Sequence, residues 1–140
     1  MPALDTQQIE QFLKERFPQA AQFGARIDAV TDDTVRARLK VSERHLRPGN
    51  TVSGPAMMGL ADFAMYVLLL SRIGPVALAV TTNFNINFMR KPVGDVVAEA
   101  RMLKLGRSLA VGEVSLFSDG SPELIAHATV TYSIPPERKV

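Results

Sequence analysis

TVSGPAMMGLADFAMYVLLL, residues 51–70, carries a single charge, Asp62, in an otherwise mostly apolar run. Pro55 suits a first helical turn, where its missing N–H has no intrahelical partner to lose. Ser53 or Gly54 then stands at the cap. Beyond them the segment is apolar nearly all the way round, the pattern of a helix enclosed by protein. It contains a carboxylate and falls short of the ~20 apolar residues of a bilayer span. The reading is a central helix over 54–71.

Strand signals flank this helix. TVRARLKV (34–41) alternates Val35, Ala37, Leu39 and Val41 with Arg36, Arg38 and Lys40, a half-buried strand with a charged outer face. GARIDAV (24–30) pairs with it across Thr31-Asp32-Asp33, and RHLRPGN (44–50) reads as a loop. Four strand-like runs follow Gly74-Pro75: 77–89, 95–104, 108–117 and 123–134. Pro92-Val93-Gly94, Gly106-Arg107 and Asp119-Gly120-Ser121-Pro122 separate them. From DTQQIEQFLKER (5–16) onward, Ile9, Phe12, Leu13 and Phe17 sit at helical spacing, which predicts one N-terminal helix within 1–20, capped by Asp5 or Thr6 and followed by Pro18. Strands, one buried helix, then consecutive strands define an α+β domain over 1–140, an antiparallel sheet wrapped around a central helix. Such a sheet has edges that need covering, and pairing between two subunits covers them, so a homodimer is expected.

Composition narrows the chemistry. With 46% hydrophobic and 21% charged residues the chain is globular, and 140 residues suffice for one core. The absence of cysteine excludes disulfides, thiolate catalysis and Cys-ligated metals. Asp5 and Glu10 interrupt any signal-like N-terminus, and a cytoplasmic location is expected. The formal charge is +2, and basic residues are scattered rather than interleaved with aromatics. Small anionic ligands fit this better than nucleic acid.

Asp62 is the candidate for chemistry. An ionised carboxylate among apolar groups is costly unless it is paired or hydrogen-bonded. It either reaches solvent or a backbone N–H, or it serves catalysis. The free N–H groups at the helix start, with the helix dipole, suit negative charge, although Ser53-Gly54-Pro55 alone also reads as an ordinary capped start. Gly54 and Asp62 lie eight residues apart, roughly 12 Å along a helix. Reacting atoms must come within about 3–3.5 Å. One helix cannot bring both groups to one carbonyl, whereas two antiparallel helices across a dimer axis can.

These residues resemble a known family. T-V-S-G-P-x-x-x-x-L-A-D, A-V-T-T-N-F-N-I-N-F-M-R-K-P and L-K-L-G-R-S-L-A-V-G-E-V occur in the order seen in hotdog-fold acyl-CoA thioesterases of the phenylacetic acid degradation type, within the hydroxybenzoyl-CoA thioesterase superfamily. The resemblance spans roughly residues 25–134. It implies a homodimer, alone or joined with a second into a homotetramer as a dimer of dimers, and a site between subunits. There the Gly54 N–H polarises the thioester carbonyl, Asp62 acts as nucleophile or general base, and Thr81 helps to hold the carboxylate or water. Ser53, Arg47 and Asn50 near the helix start, with Arg90, Lys91 and Arg107, are candidates to bind substrate, the last three through coenzyme A phosphates. No metal or redox cofactor is implied, since coenzyme A is part of the substrate.

The chain departs from the family pattern in two places. Ser53-Gly54-Pro55 stands where His-Gly-Gly is usual, which keeps the Gly54 donor and removes the next N–H. The usual Asn or Gln six residues before that His falls on Arg47, with Asn50 three residues later. The alternative is therefore a hotdog dimer that binds acyl-CoA or another small apolar anion without turnover. A hotdog dehydratase would need a His at the helix start. His45 and His127 match neither metal-ligand spacing nor a serine-hydrolase elbow and read as structural.

Two details bear on the site. In VTTNFNINFM, period two puts Thr81 with Asn83, Asn85 and Asn87, opposite Phe84, Ile86 and Phe88. Thr81 then faces away from the helix unless a bulge intervenes. Tyr66, four residues after Asp62, either bonds it or is a core aromatic. Met57, Met58, Phe63 and Met65 are candidates to line an acyl pocket or simply to pack the core.

Overall fold

Asp5 caps the first helix, α1 (Thr6–Arg16). Its carboxylate accepts the Gln8 N–H while the Gln8 side chain accepts the Asp5 N–H, both at 2.9 Å. Pro18 stops this helix, because it has no N–H to continue the ladder. A second short helix, α2 (Gln19–Phe23), follows at once, so the N-terminal region is two helices where the spacing predicts one. The computed structural model describes residues 3–136; residues 1–2 and 137–140, the ends of the expected 1–140 domain, lie outside it.

The strands form where alternation places them: β1 (Ala25–Val30), β2 (Thr34–Leu39), β5 (Val80–Phe88), β6 (Val96–Leu105), β7 (Leu109–Ser118) and β8 (Leu124–Ser133). The stretch read as a loop instead contains a 3₁₀ turn (Glu43–His45) and a minimal hairpin of β3 (Leu46–Arg47) and β4 (Thr51–Val52). All pairings in the six-stranded sheet are antiparallel, in the order β1-β2-β6-β7-β8-β5.

The central helix α3 (Gly54–Ile73) runs two residues beyond its expected end, to a stop at Gly74. Its length and apolarity would suit a bilayer span, yet 72% of that window is buried inside the fold. Val67, Leu68, Leu69 and Leu70 are all fully buried, as a helix apolar on every side requires. The facing strands are lined by small residues, with Ala37, Ala98, Ala100 and Ala128 fully buried. Small residues on the sheet leave volume for the long side chains on the helix, which is how close packing is reached here. Gly112 of β7 carries this furthest. A Cβ there would lie 2.5 Å from Met65 Sδ and 3.0 Å from the Arg101 carbonyl oxygen.

The charged faces are paired across strands. Arg38 on β2 holds Asp28 of β1 and Asp119, after β7, at 2.9 Å each. Both bonds, the Asp119 bond foremost, raise the Arg38 pKa, and the bond from Arg38 lowers that of Asp119. They join three strands at one end of the sheet, whereas Arg36–Glu99, at 3.7 Å, is a loose exposed pair.

Candidate active site

Asp62 projects from α3 into a cleft of about 520 Å³, within the usual range of small-molecule sites. Ala25 of β1 and Val80 and Thr81 of β5 both border it, so the two edges of the curled sheet meet there. α1 and α2 close the remaining side with Phe17, Ala20 and Phe23. Gly59 lets that wall approach, since a Cβ on it would lie 2.9 Å from Phe23 Cζ.

The half-buried Asp62 carboxylate is held by two hydroxyls, both donating to Oδ1: Thr81 Oγ1 at 2.6 Å and Tyr132 OH at 2.8 Å. The phenol also lies 3.2 Å from the Asp62 carbonyl oxygen. Oδ2 has no partner among the described residues and is not sealed in the interior, and Asp62 lines the cleft. One oxygen fixes the group and the other is free to react.

Thr81 reaches Asp62 because β5 carries a bulge. Thr81 pairs with Tyr132 and Asn83 with Thr131, so two steps on β5 match one step on β8. Thr82 is the extra residue, and a single insertion reverses which face each side chain takes. Thr81 therefore shares the inner face with Tyr132, while Asn83, Asn85 and Asn87 stay on the exposed outer face.

Tyr132 has no counterpart among the sequence candidates. Its signal was legible: in TVTYS it alternates with Thr129 and Thr131, which places a phenol on the apolar side, where a buried hydroxyl needs a partner. It is 3% exposed, and burial first, then the Asp62 charge, raises its pKa far above the ordinary 10.0. The phenol thus remains a donor through neutral and mildly alkaline pH. A raised folded-state value means this contribution to stability is complete below pH 10 and is lost as pH climbs toward the folded value. Tyr132→Phe is therefore expected to lose less stability than wild type between pH 9 and 11 in denaturation curves, with Tyr66, also raised by burial, supplying a remnant.

Tyr66 stacks on Tyr132 with centroids 6.0 Å apart, but its hydroxyl donates to the Ala77 carbonyl at 3.3 Å rather than to Asp62. Of the four proposed lining residues only Phe63 borders the cleft. Met57 and Met65 are buried in the core, and Met58 is exposed.

At the helix start Ser53 is the cap, its Oγ accepting the Ala56 N–H at 3.2 Å. The Met57 N–H goes to the Ser53 carbonyl at 3.1 Å, and Pro55 has none. The Gly54 N–H is the one donor of that turn without a partner among the described residues. Arg47 and Asn50 lie exposed in the preceding hairpin, with Asn50 at φ +59°. Arg90 pairs with Glu123 at 3.3 Å. Lys91 and Arg107 are exposed and carry no ion pair among the described residues. The cleft thus unites Asp62 and Thr81, while Gly54, Ser53, Arg47, Asn50, Arg90, Lys91 and Arg107 all lie outside its lining.

Both histidines have structural partners. His45 is buried, its Nε2 2.6 Å from the Phe23 carbonyl and its Nδ1 accepting the Ser42 N–H at 3.0 Å. On the outer face His127 meets Glu113 at 3.0 Å, and Arg101 bonds the same carboxylate at 2.7 Å. Those two contacts, that from Arg101 first, lower the Glu113 pKa.

An antiparallel sheet wrapped around one enclosed helix, with an acid on that helix opening into a cleft at the sheet's seam, defines a hotdog-fold protein with an acid-centred site. Residues 49–125 match the thioesterase superfamily. A candidate thioesterase from Silicibacter sp. TM1040 is 50% identical, with 97% of this chain and 95% of that one covered and a TM-score of 0.89. The chain belongs to the thioesterase superfamily, and acyl-thioester hydrolysis is the general activity this membership supports. Zebrafish thioesterase superfamily member 2 shares the fold at 23% identity, covering 95% of this chain and all of its own, with a TM-score of 0.81. So does the E. coli PaaI protein from the phenylacetic acid degradation operon, at 18% identity, 93% coverage of each chain and a TM-score of 0.80. No curated protein matches the sequence.

Proposed function

We propose that the protein hydrolyses acyl-CoA thioesters at sites shared between two subunits. The observation that carries this reading is the Asp62 carboxylate, pinned through Oδ1 by Thr81 and Tyr132 with Oδ2 free toward the cleft. A carboxylate so held attacks the thioester carbonyl or takes a proton from the attacking water. Either route builds negative charge on the carbonyl oxygen, which a helix-start N–H is suited to stabilise. The unpartnered Gly54 N–H is that donor.

Gly54 and Asp62 lie on one continuous helix, which holds them roughly 12 Å apart along its axis. The donor therefore comes from a second copy. β5 provides the surface: it ends the sheet, most of its residues are exposed, and Phe88 beside Gly54 is 49% exposed. Pairing two β5 edges in a homodimer extends the sheet and places antiparallel α3 helices side by side. Arg90, Lys91, Arg107, Arg47 and Asn50 are exposed polar groups suited to coenzyme A, and two such dimers would make the homotetramer.

The test is thiol release from a panel of acyl-CoA esters, combined with subunit complementation. Gly54→Pro removes the donor on a compatible backbone, because Ser53 already has the extended conformation that precedes proline. Gly54→Pro and Asp62→Asn are each expected to be inactive alone. A re-equilibrated mixture is expected to recover about a quarter of wild-type activity, from the one intact site in each mixed dimer. A mixture that recovers nothing would place both groups of each site on one chain and sink the shared site. Acyl-CoA binding without thiol release by wild type would favour the non-catalytic alternative.

A further inference from the structure

A second cleft, of about 570 Å³, lies between α1 and β1. It shares four lining residues with the first: Phe17, Ala20, Ala25 and Phe63. The two spaces are therefore back to back. Two alanines add little to the wall between them, so its bulk is the pair of phenylalanine rings. Phe63 is 6% exposed and fixed in the core. Phe17, at the break between α1 and α2, is 38% exposed and meets Tyr66 edge-on with centroids 6.0 Å apart. Phe17 is thus the movable half of the partition.

We propose that the second cleft is an extension of the acyl site, shut off by Phe17 and Phe63, and that this partition sets the longest acyl group the protein accepts. The inference rests on the reading that the first cleft holds the acyl group of a thioester. With the carbonyl at Asp62, the acyl tail points toward the shared wall of Phe17, Ala20, Ala25 and Phe63, which the second cleft backs onto. Leu13 and Ile27 give the second cleft an apolar lining, whereas Glu10, Lys14 and Arg26 also border it. An alkyl tail fits along the former and is discouraged by the latter. Short, branched or ring-bearing acyl groups end against Phe17, and a long straight chain does so only with its terminal carbons unaccommodated.

The experiment measures binding of non-hydrolysable S-alkyl coenzyme A thioethers, from butyl to hexadecyl, to wild type and to Phe17→Ala, Phe17→Leu and Phe17→Trp. Butyryl-CoA hydrolysis by wild type is assayed in parallel. Wild-type affinity is expected to stop rising at an intermediate length. Phe17→Ala is expected to raise the hexadecyl-to-butyl affinity ratio by about tenfold, Phe17→Leu by less, and Phe17→Trp to lower it. A length profile identical in wild type, Phe17→Leu and Phe17→Ala overturns the partition, as does failure of every thioether to bind. A shifted profile without butyryl-CoA turnover upholds the partition and defeats the hydrolytic reading instead. A variant that merely loosened the fold would weaken all lengths alike, so an unchanged ratio counts against the proposal even where affinity drops.

Discussion

Asp62→Asn is expected to lower kcat for acyl-thioester hydrolysis by about 10²–10⁴-fold, the usual contribution of a positioned base or nucleophile. The substitution is nearly isosteric. Its amide oxygen still accepts from Thr81 Oγ1 and Tyr132 OH, which reach Oδ1 at 2.6 and 2.8 Å in wild type. What changes is the other position, where an NH₂ replaces the free oxygen. The variant therefore separates holding the group from reacting with it. Thiol release measured beside a thermal melt checks both: activity should collapse while the melting temperature moves little. An Asp62→Asn enzyme within about tenfold of wild type would remove Asp62 from the reacting atoms.

The largest effect on stability is expected for Leu68→Ala. Leu68 is fully buried in the middle of α3, and the six hydrogen-bonded strands around it have little freedom to collapse into a void. Truncation at such a site costs about 2–5 kcal/mol, a large share of the 5–15 kcal/mol typical of a folded domain. Arg36→Ala gives the contrast. It removes an exposed pair at 3.7 Å and should cost less than about 1 kcal/mol. Chemical denaturation of both variants checks the ordering, and equal losses would mean that α3 is not the centre of the core.

The sequence made the scaffold legible because each element carries its own periodic signal. The all-round apolar run of 54–71 announced an enclosed helix, and strict alternation in 34–41 announced a strand with one wet face. The helix read over 5–16, with Asp5 as a candidate cap and Pro18 after its end, forms as α1, whereas the five residues of α2 between Pro18 and Gly24 are too few to carry a periodic signal. In the site, Asp62 stood out as a charge in an apolar run. Thr81 was obscured by a local event, the bulge at Thr82, which periodicity does not register. Tyr132 was visible in principle, yet its partner lies 70 residues away in sequence. The cleft wall from Phe17 and Phe23 was not legible either, because it depends on how α1 and α2 settle over a seam that exists only once the sheet has curled.

The irregularity at Thr82 makes one strand serve two independent tasks. Upstream of it, β5 addresses the carboxylate; downstream, with the opposite phase, the same strand carries the exposed flank on which the proposed homodimer would pair. A single spare residue acts as a coupling between out-of-step gears. Were two copies to pair as proposed, substitutions at Asn83–Phe88 could retune that pairing without turning the Thr81 hydroxyl away from its charge, and changes around Asp62 could accumulate without disturbing the pairing.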